Sequence, residues 1–132
     1  MKYKILITEF NINFSSDALN IYNDIGEVYY YDRNDFDKQE IDIIVTGLSI
    51  SLNNSFLSSF NNLKFIVSNT TGLNHINIDY CRKNGINIIS LKNEFKFLES
   101  INATPDFTVS LVLSLTRKLT LSFRDFISKE KC

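Results

Sequence analysis

Short runs of aliphatic residues alternate along the chain with polar stretches that open on Ser, Asn or Thr, and several of these close on Gly. A strand buried on both faces reads as an unbroken apolar run, whereas a helix packed on a sheet repeats its apolar residues three and four apart. By that rule residues 4–8, 27–31, 41–45, 64–68 and 86–91 are strands. Ser15 or Ser16 caps a helix that carries Ala18, Leu19, Tyr22 and Ile25 on one side and stops at Gly26. Asn53 or Asn54 opens another helix, with Phe56, Leu57 and Phe60 on its face, and residues 78–83 form a short helix closed by Asn84 and Gly85. Residues 32–40, rich in Asp and Asn, read as a loop or one short helix, and Tyr29, Tyr30 and Tyr31 put the second strand near an edge.

Strands alternating with helical crossovers define a parallel α/β domain. Five of them predict a flavodoxin-like sheet in the order 2-1-3-4-5, flanked by helices on both faces. The last third departs from that plan. Thr104, Pro105 and Asp106 read as a helix start, with Thr as cap, Pro at the first helical position and a carboxylate near the positive end of the dipole. No Gly or Pro follows before about Ile127, so one long helix is expected from Thr104. Residues 1–103 are therefore read as the domain and residues 104–132 as an appended helix. Between Thr108 and Leu115 the apolar positions run most of the way round this helix, which calls for neighbours on more than one side. Without them, self-association through the helix is expected.

A length of 132 residues with 44% hydrophobic content suits one folded domain and argues against intrinsic disorder. Fourteen basic residues against fifteen acidic ones, with no block of like charge, remove the electrostatic case for nucleic acid or an anionic membrane. No apolar run approaches the roughly 18 to 20 residues of a membrane span, and no signal-peptide pattern follows Met1. Cys81 and Cys132 lack metal-ligand spacing and read as reduced thiols of a cytoplasmic protein, with Cys81 buried.

Many functions share this fold class, so its sites are tested singly. A flavin-phosphate site needs a Gly-rich loop after the first strand, and Glu9, Phe10, Asn11, Ile12 and Asn13 supply no Gly. A phospho-receiver needs an Asp at the end of the third strand, where Thr46 and Gly47 stand; Glu9 and Lys92 imitate only its other parts. His75 is the only histidine and has no metal-ligating cluster around it, so no metal is expected. G-x-S-x-G, GxGxxG and Walker A sequences do not occur, so the chain carries no nucleophile elbow and no nucleotide cradle. Asp35 and Asp37 read as solvated loop residues.

One ordered set of residues is more specific. Leu63-Lys64-Phe65-Ile66-Val67 leads into Thr71-Gly72-Leu73-Asn74-His75-Ile76-Asn77-Ile78-Asp79 and then Arg82-Lys83-Asn84-Gly85-Ile86-Asn87-Ile88. Ile101-Asn102-Ala103-Thr104-Pro105-Asp106-Phe107-Thr108 follows, with Leu111, Leu113, Leu115 and Arg117. In order and spacing, over about residues 63–118, this resembles the substrate-binding domain of the D-isomer-specific 2-hydroxyacid dehydrogenases. The resemblance implies that main-chain amides of Thr71, Gly72 and Leu73 hold the carboxylate of a 2-hydroxy or 2-keto acid, with Asn74 bracing the turn. Gly72, lacking a β-carbon, can take a positive φ and let N–H groups approach an anion, although an ordinary strand-to-helix turn wants Gly and Asn too. His75 falls on a variable position and reads as a surface or packing residue. Thr104 would touch the nicotinamide half of NAD or NADP and Asp106 would brace the hinge; a simple helix start explains both equally.

The departures from that family matter as much. Thr46 and Gly47 stand where some relatives place a carboxylate-holding Arg. The dinucleotide-binding domain would begin shortly after Arg124, and the family's catalytic Arg, Glu and His lie there or beyond. The family also returns a C-terminal segment to cover this domain. The resemblance therefore implies a truncated substrate-binding domain of an oxidoreductase that moves hydride between a nicotinamide and a 2-hydroxy acid. It implies no catalytic residue here and no cofactor bound by these residues alone. A stand-alone interaction or small-anion-binding module that keeps the fold is the alternative.

Overall fold

The structure, a computed structural model, describes residues 2–9, 14–33 and 35–129. Most of the first loop (Phe10, Asn11, Ile12 and Asn13) and Cys132 lie outside the described residues. Strands β1 (Tyr3–Ile7), β2 (Gly26–Tyr30), β3 (Ile43–Thr46), β4 (Phe65–Ser68) and β5 (Asn87–Ser90) pair in parallel, in the order β2-β1-β3-β4-β5. This is the order expected from the alternation of runs. Helices α1 (Ser16–Ile25), α2 (Asn54–Leu57) and α3 (Ile78–Lys83) make the crossovers, and α4 (Phe95–Leu98), α5 (Ala103–Thr116) and α6 (Leu119–Lys129) follow the sheet.

The crossover helices begin where a short polar side chain can accept a first-turn N–H. Ser15 Oγ accepts from Ala18 N at 3.2 Å, Asn53 Oδ1 from Phe56 N at 3.0 Å, and Asn77 Oδ1 from Tyr80 N at 2.9 Å. Their ends differ. Gly85, at φ +70°, closes α3 in the left-handed region, and Ile86 N–H donates back to Cys81 O at 2.9 Å. Gly26 instead has extended backbone, φ −163°, and opens β2 without a turn.

Side chains alternate across the sheet. Leu6, Ile44 and Ile66 pack with Leu52, Leu57, Phe60, Leu63, Ile76, Cys81 and Ile86 under α2 and α3, and Ile88 joins that cluster. Cys81 is a buried free thiol. On the opposite face Ile5, Ile7 and Val45 meet Phe14, Tyr22 and Val28. This second face is thinly covered. Ile25 of α1 is 43% exposed and Ile89 of β5 is 55% exposed, so helices flank both faces as expected but cover this one less tightly.

The chain forms two compact units, residues 1–93 and 94–132, divided ahead of the 103/104 boundary read from the sequence. In the second, α5 starts one residue before Thr104, with Asn102 at the cap position and no side-chain cap. Thr104 is thus not a cap, and Asp106 N–H donates to Asn102 O at 2.9 Å. The long helix is broken: Lys118 takes φ +51° between α5 and α6. Thr116 Oγ1 bonds the Val112 and Leu113 carbonyls there, and Lys118 N–H turns to Leu115 O, tightening the last turn without Gly or Pro. Apolar residues of the two helices are exposed, from 42% at Leu119 to 78% at Leu115.

Candidate functional site

Open parallel sheets bind ligands outside the carboxyl ends of their strands, where the strand order reverses. Here that point lies between β1 and β3, with β4 alongside. Its floor is polar and buried: Thr8 Oγ1 lies 3.0 Å from Thr46 Oγ1 and 3.3 Å from Val45 O, and Ser68 ends β4.

The loop after β4 is held at both ends. Thr70 Oγ1 donates to Gly72 O at 2.7 Å, and Ser68 Oγ lies 2.8 Å from Thr70 Oγ1. Leu73 is half-buried against the core, and its carbonyl accepts from Ile76 N at 3.0 Å. Beyond it, Leu52 N–H donates to His75 O at 2.7 Å and Asn77 N–H to Leu52 O at 3.0 Å. Between these anchors the backbone N–H groups of Thr71, Gly72 and Leu73 donate to no described residue, while Thr71 and Gly72 are exposed. Three successive donors on an anchored exposed turn suit an anion.

Two local expectations change. Gly72 does not have a positive φ, and no heavy atom lies within 4 Å of where its β-carbon would stand. Its contribution is open approach to the backbone rather than left-handed geometry. Asn74 is exposed and its side chain hydrogen-bonds no described residue, so Thr70, not Asn74, braces the turn. Thr70, missed by the sequence reading, stands two residues before Gly72, the spacing of a hydroxyl-braced turn.

The neighbouring loop after β3 is occupied by a side chain. Glu9 Oε1 accepts from Gly47 N at 2.5 Å and Ser49 N at 3.1 Å, and Oε2 accepts from Ser49 Oγ at 2.7 Å. His75 is half-buried, and its Nε2 is buried without a hydrogen-bond partner among the described residues. Burial pushes the imidazole pKa down, and the Glu9 carboxylate partly offsets this. A shallow groove of about 630 Å³ borders the β4 loop, lined by Leu73, Asn74, His75, Asp79 and Arg82. No group of three metal-ligating side chains is found among the described residues.

Thr104 belongs to the second unit, exposed in the first turn of α5, where its carbonyl accepts from Thr108 Oγ1 at 2.8 Å. Asp106 is exposed in the same turn.

A five-stranded parallel sheet in the order β2-β1-β3-β4-β5 with helical crossovers defines a flavodoxin-like α/β domain. Residues 5–94 match the family described as D-isomer specific 2-hydroxyacid dehydrogenase, catalytic domain. The chain belongs to that family. A Staphylococcus epidermidis protein with a provisional 2-hydroxyacid dehydrogenase name is 32% identical over 110 residues, covering 77% of this chain and 33% of its own length. An aromatic 2-oxoacid reductase of Clostridium sporogenes is 34% identical over 62 residues, covering 47% of this chain and 17% of its own. In fold, the chain is similar to D-lactate dehydrogenase from Aquifex aeolicus, solved with NAD and lactic acid. That match has a TM-score of 0.75 at 20% identity over 95% of this chain and 37% of that one. An NADPH-dependent glyoxylate/hydroxypyruvate reductase from Sinorhizobium meliloti, solved with NADP and malonate, gives 0.70 at 14% identity over 95% and 39%. The chain spans about a third of the length of the first curated relative.

The residues present do not fit a dinucleotide. Of the chain's glycines, Gly26 faces the Tyr3 carbonyl and Gly47 the Glu9 carboxylate, while Gly72 and Gly85 have open space beside them but stand in different loops, after β4 and after α3, so no loop offers the paired open glycines of a pyrophosphate cradle. No helix among the described residues is long and apolar enough to cross a membrane.

Proposed function

We propose that this chain is the substrate-binding part of an NAD(P)-dependent D-2-hydroxyacid dehydrogenase, and that Thr71, Gly72 and Leu73 grip the carboxylate of a 2-hydroxy or 2-keto acid. The observation that carries this is the set of three consecutive N–H groups with no acceptor among the described residues, on a loop anchored by Thr70 and Leu73. Asn74 sits beside them as a rim residue, and Thr104 offers the contact toward a nicotinamide. The chain by itself binds no cofactor and transfers no hydride, because positioning one reactant without the other gives no reaction.

An amide-resolved NMR titration with pyruvate and with NADH tests this. Saturable shifts at residues 71–73 with pyruvate, and none with NADH, are expected. Saturable NADH binding, or pyruvate shifts confined elsewhere, would overturn the reading.

A second reading, an interaction module, is favoured by one observation: Phe107, Leu111, Leu115, Phe123 and Phe126 are all at least 48% exposed. Apolar surface of this kind drives association. Sedimentation velocity across a hundredfold concentration range should show self-association that Leu111→Lys and Phe123→Lys weaken. A concentration-independent monomer would end this reading.

A further inference from the structure

Two adjacent loops at the carboxyl end of the sheet spend their backbone donors in opposite ways. After β4 the N–H groups of residues 71–73 are unspent; after β3 the N–H groups of Gly47 and Ser49, with the Ser49 hydroxyl, all close on the Glu9 carboxylate. Glu9 forms no ion pair with a described residue, so these neutral dipoles are what holds the half-buried charge. A β-carbon on Gly47 would stand 2.7 Å from Glu9 Cδ, so glycine is what lets a carboxylate lie against this backbone. Donors converging on both oxygens of a carboxylate constitute a carboxylate site, already filled from within the chain.

We propose that residues 47–49 form a second carboxylate nest and that Glu9, by filling it, makes the domain select 2-keto acids with an uncharged side chain over dicarboxylic ones. The proposal rests on the reading of residues 71–73 as the substrate-carboxylate loop. Thr46 and Ser68 are register partners, so the loops leave adjacent strands about 4.8 Å apart, within reach of a short diacid. A diacid held by residues 71–73 would extend its second carboxylate toward donors that are spent and a like charge that repels it. The same charge reaches the β4 loop itself, where it acts on His75.

The experiment titrates pyruvate, 2-ketoglutarate and formate into the chain and its Glu9→Gln and Glu9→Ala variants, following amide shifts. In the wild type, 2-ketoglutarate should bind no more tightly than pyruvate and leave the Gly47 and Ser49 amides unmoved. In Glu9→Ala, formate and 2-ketoglutarate should both shift those amides saturably, and 2-ketoglutarate should gain about tenfold over pyruvate. Wild-type preference for 2-ketoglutarate, or a folded Glu9→Ala without response at Gly47 and Ser49, would overturn the proposal. If Glu9→Ala does not fold, Glu9→Gln decides, since an unchanged preference between the two acids would overturn it as well. If pyruvate moves residues 71–73 in no variant while formate still moves Gly47 and Ser49 in Glu9→Ala, the nest stands and the selectivity falls with the substrate reading.

Discussion

Gly26 stands opposite Tyr3 in the β1–β2 register so closely that a β-carbon on it would fall inside the Tyr3 carbonyl. That carbonyl belongs to a paired strand and cannot swing aside. Gly26→Ala should therefore cost about 3 kcal/mol, at the upper end of overpacking effects. Urea unfolding followed by circular dichroism checks this; a loss under about 1 kcal/mol would mean that β2 shifts to accommodate the methyl.

Gly72 and Gly85 should behave oppositely from each other. Alanine at Gly85 would be forced to hold φ +70° and should cost about 1 kcal/mol. Alanine at Gly72 meets open space, so stability should stay within about 0.5 kcal/mol while pyruvate shifts at residues 71–73 weaken. Equal unfolding midpoints for the two variants would contradict this.

Asp42 ties together the amino ends of β1 and β4. Its Oδ2 accepts from Lys4 N at 3.0 Å and its Oδ1 from Lys64 Nζ at 2.7 Å. Burial works against the charge, but the bonds from Lys64 and Lys4 prevail and hold the carboxyl below its usual value. A depressed folded value means that the contribution is complete above the unfolded carboxyl value, near pH 4, and is lost as pH falls through the folded one. With Lys64 largely exposed, Asp42→Asn should cost about 1 kcal/mol at pH 7 and much less at pH 2. Denaturant midpoints at both pH values test this, and an equal loss at each would exclude the ionised carboxylate as the cause.

His75 should titrate below an ordinary imidazole because burial disfavours its charged form. Below about pH 6.5 the unfolded chain takes up the proton first, so stability falls until the folded imidazole is also protonated. Glu9→Gln removes the charge that opposes this shift, and the midpoint should drop further. Imidazole resonances followed by NMR report both midpoints, and an identical value in the two proteins would separate Glu9 from His75.

The sheet was legible because its signals are local. Runs such as Ile41-Asp42-Ile43-Ile44-Val45, bounded by capping residues and Gly85, contain the whole argument for a strand or a helix end. What escaped depends on distant groups. Glu9 looks like a loop acid until Gly47 and Ser49 arrive from the end of β3, and Gly26 ends α1 as expected but shows its close approach to Tyr3 only once β1 is placed beside it. The break at Lys118 escaped for another reason: Arg117 and Lys118 are good helix formers, and only the bonding of Thr116 to carbonyls one turn back marks the place. The candidate site was half legible, since Gly72 stood out while Thr70, which fixes the loop, did not.

The strand order also has a kinetic meaning. Most neighbours in the sheet are consecutive in sequence, so their pairing closes one crossover at a time. The β1–β3 seam, Ile5 with Ile43 and Ile7 with Val45, must instead close around α1 and β2 together. Loop-closure entropy grows with the length enclosed and slows chains rich in distant contacts. The largest entropic cost of assembling the sheet thus falls on the seam whose far end carries Thr8, Glu9 and Thr46, so the contacts among Thr8, Thr46, Glu9 and Gly47 form only once that costliest pairing has closed.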